Sequence, residues 1–203
     1  MPGASPSTAS GEHTMPLRSR GGLVDAVPPQ SSPLSLRNRL GRLAWTFVYR
    51  TLFRTSPEVL HGWRRMLLRL FGASLASTSR VYPTAKIWAP WNLTLAEFAC
   101  IGRDVDCYNV MPIRIGARST ISQYTYLCGA THDYTKRDYP LIPLPITIGD
   151  DCWLAADVFV SPGITIGDGT VVGARSTVTK DLPPWVVAVG TPAKAIKKRE
   201  FAA

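Results

Sequence analysis

Aliphatic residues recur at every sixth position from Ile148 to Val178: Ile148, Leu154, Val160, Ile166, Val172 and Val178. A glycine follows three of them, at Gly149, Gly167 and Gly173. A period of six matches neither a helix face, near 3.6, nor one alternating strand, near 2. It is an internal repeat in which each hexad makes a short strand and a corner, and three hexads, about 18 residues, close one triangular coil. The spacing predicts that Ile148 stacks on Ile166, Leu154 on Val172 and Val160 on Val178. Cys152, Val158, Ile164, Thr170 and Ser176 occupy the other regular place, while Asp150, Asp168 and Arg175 fall toward solvent or edges. Gly149 and Gly167 suit corners that turn sharply or need a positive φ.

Upstream, the same rhythm appears in shifted frames: Val81, Ile87 and Leu93, then Leu95 and Ile101, then Ile115, Ile121 and Leu127. Coils are expected from about Val81 to Asp181. The repeat breaks from Gly129 to Pro145, which predicts a loop leaving a rigid scaffold, a common place for function. Leu182-Pro183-Pro184-Trp185 stops it, Val187 to Lys194 makes a last strand and turn, and a short basic tail follows.

Two segments before the coils carry helical periodicity. Leu36, Leu40, Leu43, Phe47 and Leu52 mark a helix within Leu34–Phe53; Leu60, Trp63, Leu67, Leu70 and Phe71 mark another within Ser56–Phe71. Ser56 is the expected N-cap with Pro57 at the first helical position, and Gly72 the expected C-cap. Residues 1–33 are rich in Ser, Pro, Gly and Ala without periodicity, which predicts a disordered tail. The expected organisation is therefore a tail over 1–33, a basic helical extension over 34–80 and a coil domain over 81–203.

Charge follows that division. Residues 1–80 hold 11 Arg, no Lys and 3 acids, so +8 of the formal +9 lies there. Two compatible readings fit the helices: they cover the first coil, or residues 34–71 rest on an anionic membrane with Trp45, Tyr49 and Trp63 at its surface. Nothing suggests a base-reading module, so no nucleic-acid partner is expected. No apolar run approaches the roughly 20 residues that span a bilayer, and the N-terminus lacks a secretory apolar core. Cys100, Cys107, Cys128 and Cys152 form no CxxC pair, as expected of packed thiols in a reducing cytoplasm without a metal site.

His132 is the one histidine of the coil domain, and it lies on the interrupting segment. A neutral imidazole can take a proton from a hydroxyl as general base, help that an alcohol needs before it attacks a thioester. No Ser or Cys shows a nucleophile motif, which favours direct transfer, with backbone amides holding the oxyanion.

Several stretches resemble a known family: Ile148-Gly149-Asp150-Asp151-Cys152-Trp153, Pro162-Gly163-Ile164-Thr165-Ile166-Gly167, Thr179-Lys180-Asp181-Leu182-Pro183-Pro184 and Val189-Gly190-Thr191-Pro192-Ala193-Lys194. They are similar to the hexapeptide-repeat acyltransferases. Leu60-His61-Gly62-Trp63-Arg64-Arg65 and Cys128-Gly129-Ala130-Thr131-His132-Asp133-Tyr134 resemble, within that group, the colanic-acid-type exopolysaccharide O-acetyltransferases, relatives of the maltose, galactoside and nodulation-factor enzymes.

The resemblance implies an all-β, left-handed parallel β-helix with the helical extension in front. It implies acetyl transfer from acetyl-CoA, without a metal, to a saccharide hydroxyl, in a homotrimer with sites between adjacent prisms. It places His132 as base, Asn109 near the acceptor and Asp133 as orienting group for His132 or the sugar. It sets Trp153, Ala156 and Ala174 beside the pantetheine arm, and Thr179, Lys180, Lys194 and Lys197 near the nucleotide and phosphates, where ammonium groups pair well.

Two departures stand out: Leu154-Ala155 replaces Ile-Gly after Trp153, and Thr94-Leu95-Ala96-Glu97-Phe98 interrupts the early repeats. Three other readings stay in view. A γ-carbonic-anhydrase-like β-helix needs three zinc-binding histidines that this domain lacks. An N-acetyltransferase for an amino sugar and a non-catalytic, membrane-associated trimeric scaffold remain as alternatives.

Overall fold

The computed structural model describes residues 35–200; the tail expected over 1–33 lies outside them. Parallel strands of two to four residues wind into a triangular prism. Its first face stacks Ser74–Leu75, Leu93–Leu95, Ile113–Ile115, Ile146–Ile148 and Thr165–Ile166. The second stacks Arg80–Val81, Cys100–Ile101, Thr120–Ile121, Trp153–Leu154, Val171–Val172 and Val186–Val189, then Lys194–Lys198. The third stacks Lys86–Ile87, Asp106–Tyr108, Tyr126–Cys128, Phe159–Val160 and Thr177–Val178.

The predicted columns form in register: Ile148 beside Ile166, Leu154 beside Val172, Val160 beside Val178. The inward side chains Ile115, Ile121, Leu127, Ile148, Leu154, Val160, Ile166, Val172 and Val178 are each at most 1 % exposed. Burying one such side chain contributes about 1.5–3 kcal/mol, so the hexad is also the unit of stability.

Corner geometry divides two tasks that the sequence merged. Positive φ recurs every six residues at Asp151 (55°), Asp157 (60°), Gly163 (80°), Gly169 (66°) and Arg175 (59°), so Gly149 and Gly167 do not supply it. Their role is close approach. A Cβ on Gly149 would overlap Asp168 Oδ1, and one on Gly167 would lie 2.5 Å from Pro184 N.

Three boundaries differ from the sequence expectation. The coils start at Ser74–Leu75, which pairs with Leu93–Leu95 ahead of Val81; Leu75 is the lone large apolar residue of that segment, so no hexad announces it. The second helix, α2, runs His61–Leu70 rather than from Ser56. Ser56 to Glu58 instead forms a turn around the enclosed Arg64, whose Nη1 donates to Ser56 Oγ (2.9 Å) and Pro57 O (2.7 Å) and whose Nε donates to Val81 O (2.7 Å). Gly72 does end α2: with φ 88°, it lets Ala73 N reach Leu68 O and its own N reach Arg69 O, a Schellman closure. The basic tail is not a tail. Lys194–Lys198 is a strand antiparallel to Val186–Val189.

The first helix, α1, spans Leu36–Val48 and continues as a π turn over Tyr49–Phe53. Trp45 pins it to the prism. Its indole donates to Ile87 O (2.6 Å), and its ring packs on Tyr49, Phe53 and Phe71 at centroid distances of 6.1, 5.6 and 5.2 Å.

Candidate active site

The interruption of the repeat is a hairpin. Ala130–His132 pairs antiparallel with Leu141–Pro143, His132 opposite Leu141. It leaves the prism where the third face passes into the first, between Tyr126–Cys128 and Ile146–Ile148. Its root is tied to the coil before it, because Gly129 N donates to Tyr108 O (2.9 Å).

His132 sits exposed on this hairpin, with Nδ1 2.6 Å from the Tyr139 carbonyl. A carbonyl only accepts, so Nδ1 carries the hydrogen and Nε2 keeps a free lone pair. The ring is thus oriented by a backbone oxygen, with Nε2 left as an acceptor. Asp133 takes no part in this: its Oδ1 accepts from Thr135 Oγ1 (2.6 Å) and Thr135 N (3.1 Å), and Lys136 Nζ lies 3.4 Å from Oδ2. These contacts, the Thr135 hydroxyl foremost, hold the Asp133 carboxyl below the usual range. Asp133 is thus bonded within the hairpin tip, and the group on His132 Nδ1 is the carbonyl of Tyr139.

Asn109 lies on the same edge but points inward. It is fully enclosed, and its amide spans one backbone unit of the coil before: Nδ2 donates to Ala89 O (2.6 Å) and Oδ1 accepts from Ala89 N (2.9 Å). Strand alternation explains this. Cys107 and Asn109 face in, so Asp106 and Tyr108 face out.

Those outward residues open a cleft that the sequence reading missed. Between the third face and α1 lies a cavity of about 380 Å³, bordered by Arg42, Arg50, Lys86, Trp88, Tyr108 and Tyr126. Its size falls in the ordinary ligand range, roughly 300–1,000 Å³. Trp88 and Tyr108 meet edge to face at 5.6 Å, and the Arg42 guanidinium lies 4.2 Å from the Trp88 ring centroid. Tyr108, whose carbonyl receives Gly129, connects this floor to the root of the His132 hairpin. The signal was present: two aromatics one coil apart, Trp88 and Tyr108, on the outward phase of the third face.

The residues expected beside the donor lie elsewhere. Trp153 is on the second face, its indole donating to Ser122 Oγ (3.0 Å). One register row runs Trp153, Val171, Val187, Lys197 across that face. At about 4.8 Å per strand, it spans about 14 Å. Ala156 and Ala174 stack on the edge between the second and third faces, where Arg175 N donates to Ala156 O (3.0 Å), and small side chains leave that backbone approachable. Lys194 is exposed on the strand that closes the second face, whereas Thr179 and Lys180 lie exposed on the hairpin edge. Within one chain, the face of Trp153 and Lys197 is the face opposite the edge that carries His132.

The repeat matches the bacterial transferase hexapeptide (six repeats) family over residues 145–180. The Escherichia coli (strain K12) protein named colanic acid biosynthesis acetyltransferase WcaF is 52 % identical over 155 residues, 76 % of this chain and 85 % of that protein. A maltose O-acetyltransferase structure from Clostridium difficile 630 superposes with a TM-score of 0.73 at 31 % identity, over 82 % of this chain and 90 % of that one. A hexapeptide-repeat acetyltransferase from Vibrio cholerae O1 biovar eltor, complexed with acetyl coenzyme A, gives 0.73 at 27 %, over 84 % and 93 %. With a prism of hexads, a histidine-bearing hairpin and these likenesses over most of its length, the chain belongs to the hexapeptide-repeat acetyltransferases, in the group of the colanic acid biosynthesis enzymes.

Proposed function

We propose that this acetyltransferase moves an acetyl group from acetyl-CoA to a hydroxyl of an exopolysaccharide or oligosaccharide intermediate. His132 acts as general base in a direct transfer. The observation that carries the reading is the Tyr139 carbonyl on Nδ1, which leaves Nε2 as an exposed acceptor. Nε2 takes the hydroxyl proton as the acceptor oxygen bonds to the thioester carbonyl. The tetrahedral intermediate then expels the CoA thiolate, which receives that proton from His132.

The row from Trp153 to Lys197, with Ala156 and Ala174 on its edge, is suited to an extended donor: an aromatic and small residues along the pantetheine, Lys194 and Lys197 toward phosphates. Thr179 and Lys180, on the hairpin edge, would meet the nucleotide from the other side. Because this face and the His132 edge lie on opposite sides of one prism, the complete site forms between two copies, and a cytoplasmic homotrimer supplies three such junctions.

The aromatic, basic cleft beside the hairpin is suited to the acceptor. Trp88 and Tyr108 offer rings for a sugar to stack on, and Arg42 and Arg50 favour an anionic saccharide, Lys86 being paired with Asp106 of the same lining (3.4 Å). Incubation of the protein with acetyl-CoA and acidic or neutral oligosaccharides tests this, with release of free thiol as readout. The expected product is an alkali-labile ester, formed faster on acidic acceptors. An alkali-stable amide would make the enzyme an N-acetyltransferase, and no product on any saccharide would overturn the reading.

A further inference from the structure

Helix α1 bears apolar side chains on two opposite sides. At about 100° per residue, Trp45, Gly41 and Val48 turn toward the prism, where Trp45 is 2 % exposed. Leu36, Leu40, Leu43 and Phe47 form a strip on the reverse side and are 75, 66, 69 and 68 % exposed. Arg37 and Arg39 flank that strip, one on each side. Helix α2 repeats the arrangement: Arg64, Leu67 and Leu68 are buried, while Trp63, Met66 and Leu70 stay exposed. The two helices meet where the Trp63 indole donates to Leu52 O (3.0 Å), Leu52 being exposed as well. Folding has thus left a continuing apolar strip uncovered among the described residues, larger than scattered surface leucines explain.

We infer that this strip docks on the surface of an anionic lipid bilayer, with α1 lying in the plane of the headgroups. Charge selects this occupant over a second copy of the chain. Residues 35–71 hold eight arginines and one acid, Glu58, which is already paired with Arg103. Two such surfaces facing each other would set arginine against arginine, whereas anionic headgroups complement Arg37, Arg39 and Arg54. At 13 residues, α1 is too short to cross a bilayer, which takes roughly 20. It lies on the surface.

Docking has a consequence for the acceptor, and this part rests on the function proposed above. The residues Arg42, Thr46, Tyr49 and Arg50 of α1 and its π turn line the acceptor cleft, and none of them belongs to the strip. A helix is about 10–12 Å across, so the docked cleft opens within about one helix diameter of the headgroups. That placement suits a saccharide carried on a lipid.

Flotation of the full chain with vesicles tests the docking. The protein is expected to float with phosphatidylcholine vesicles containing phosphatidylglycerol, and to float poorly with phosphatidylcholine alone or in high salt. The triple variant Leu40→Ser, Leu43→Ser, Phe47→Ser replaces exposed side chains outside the cleft. It should lose about tenfold or more in partitioning, with unchanged oligomeric mass and unchanged turnover of a soluble acceptor. Absence of wild-type flotation, equal flotation of the variant, or a changed oligomeric mass in the variant would each overturn the inference; the last would make the strip a subunit contact. Flotation by a protein that acetylates no saccharide would sustain the docking while the enzymatic reading fell.

Discussion

Between Ile146 and Val178 every sixth side chain is buried against its counterpart one coil away, and the backbone finds its partners in the same neighbours. The hairpin from Ala130 to Pro143 has neither property. It pairs only with itself, and its strand residues Thr131, His132 and Ile142 are exposed. The stack is a place where any change of volume is felt by the next layer. The hairpin is a place where a side chain is set by one or two hydrogen bonds and can be exchanged without disturbing the core. On the function proposed above, stability and chemistry fall to different segments, and substitutions should separate them.

The strongest separation is expected at His132. His132→Ala removes the base and should lower kcat by about 10²–10⁴-fold, with an unchanged far-ultraviolet circular dichroism spectrum and unchanged oligomeric mass. A variant of full activity would return the hairpin to a purely structural role.

Asn109 should behave in the opposite way. Asn109→Ala leaves the buried N–H and C=O of Ala89 without the partners they have at 2.9 and 2.6 Å. Each such group costs about 1–3 kcal/mol, so urea unfolding should show a loss of roughly 2–6 kcal/mol. A large fall in kcat at undiminished stability would instead place Asn109 with the chemistry.

Glycines sharpen the contrast further. In the stack, Gly149→Ala would drive a Cβ into Asp168 Oδ1 and to 2.7 Å from Asp168 N, and the strain should cost about 1–3 kcal/mol. On α2, outside the stack, Gly62→Ala meets nothing nearer than the flexible end of Arg65 at 3.7 Å. It should stabilise by about 0.5–1 kcal/mol. Thermal unfolding of the two variants is expected to move in opposite directions, and the same sign for both would undo the distinction.

Much of this was legible in the residues. The columns of the prism could be named because the six-residue period is a local rule: it sets strand, corner and facing direction without reference to distant chain. The hairpin showed itself as a break in that rule, and His132 as a titratable group within the break. Other features were hidden for equally physical reasons. The strand Ser74–Leu75 has one inward aliphatic, too few to show a period. Lys194–Lys198 looks like a solvated basic run and becomes a strand because the edge at Val186–Val189 is there to pair with it. Ser56-Pro57 has the composition of a helix start, but the guanidinium of Arg64 captures those carbonyl and hydroxyl groups for a turn.

The sequence by itself determined the prism, its register and the segment that departs from it, because those follow from spacing along the chain. The tertiary structure decided which side chains face one another across it. Trp45 reaches Ile87, 42 residues on, and thereby lays α1 over the third face to make the cleft of Arg42, Trp88 and Tyr108. The tautomer of His132 was likewise a matter of contact, set by the carbonyl that folding brings to Nδ1. Hydrogen bonds and helix crossings act between groups far apart in sequence, so their outcome exists only once the chain has closed around them.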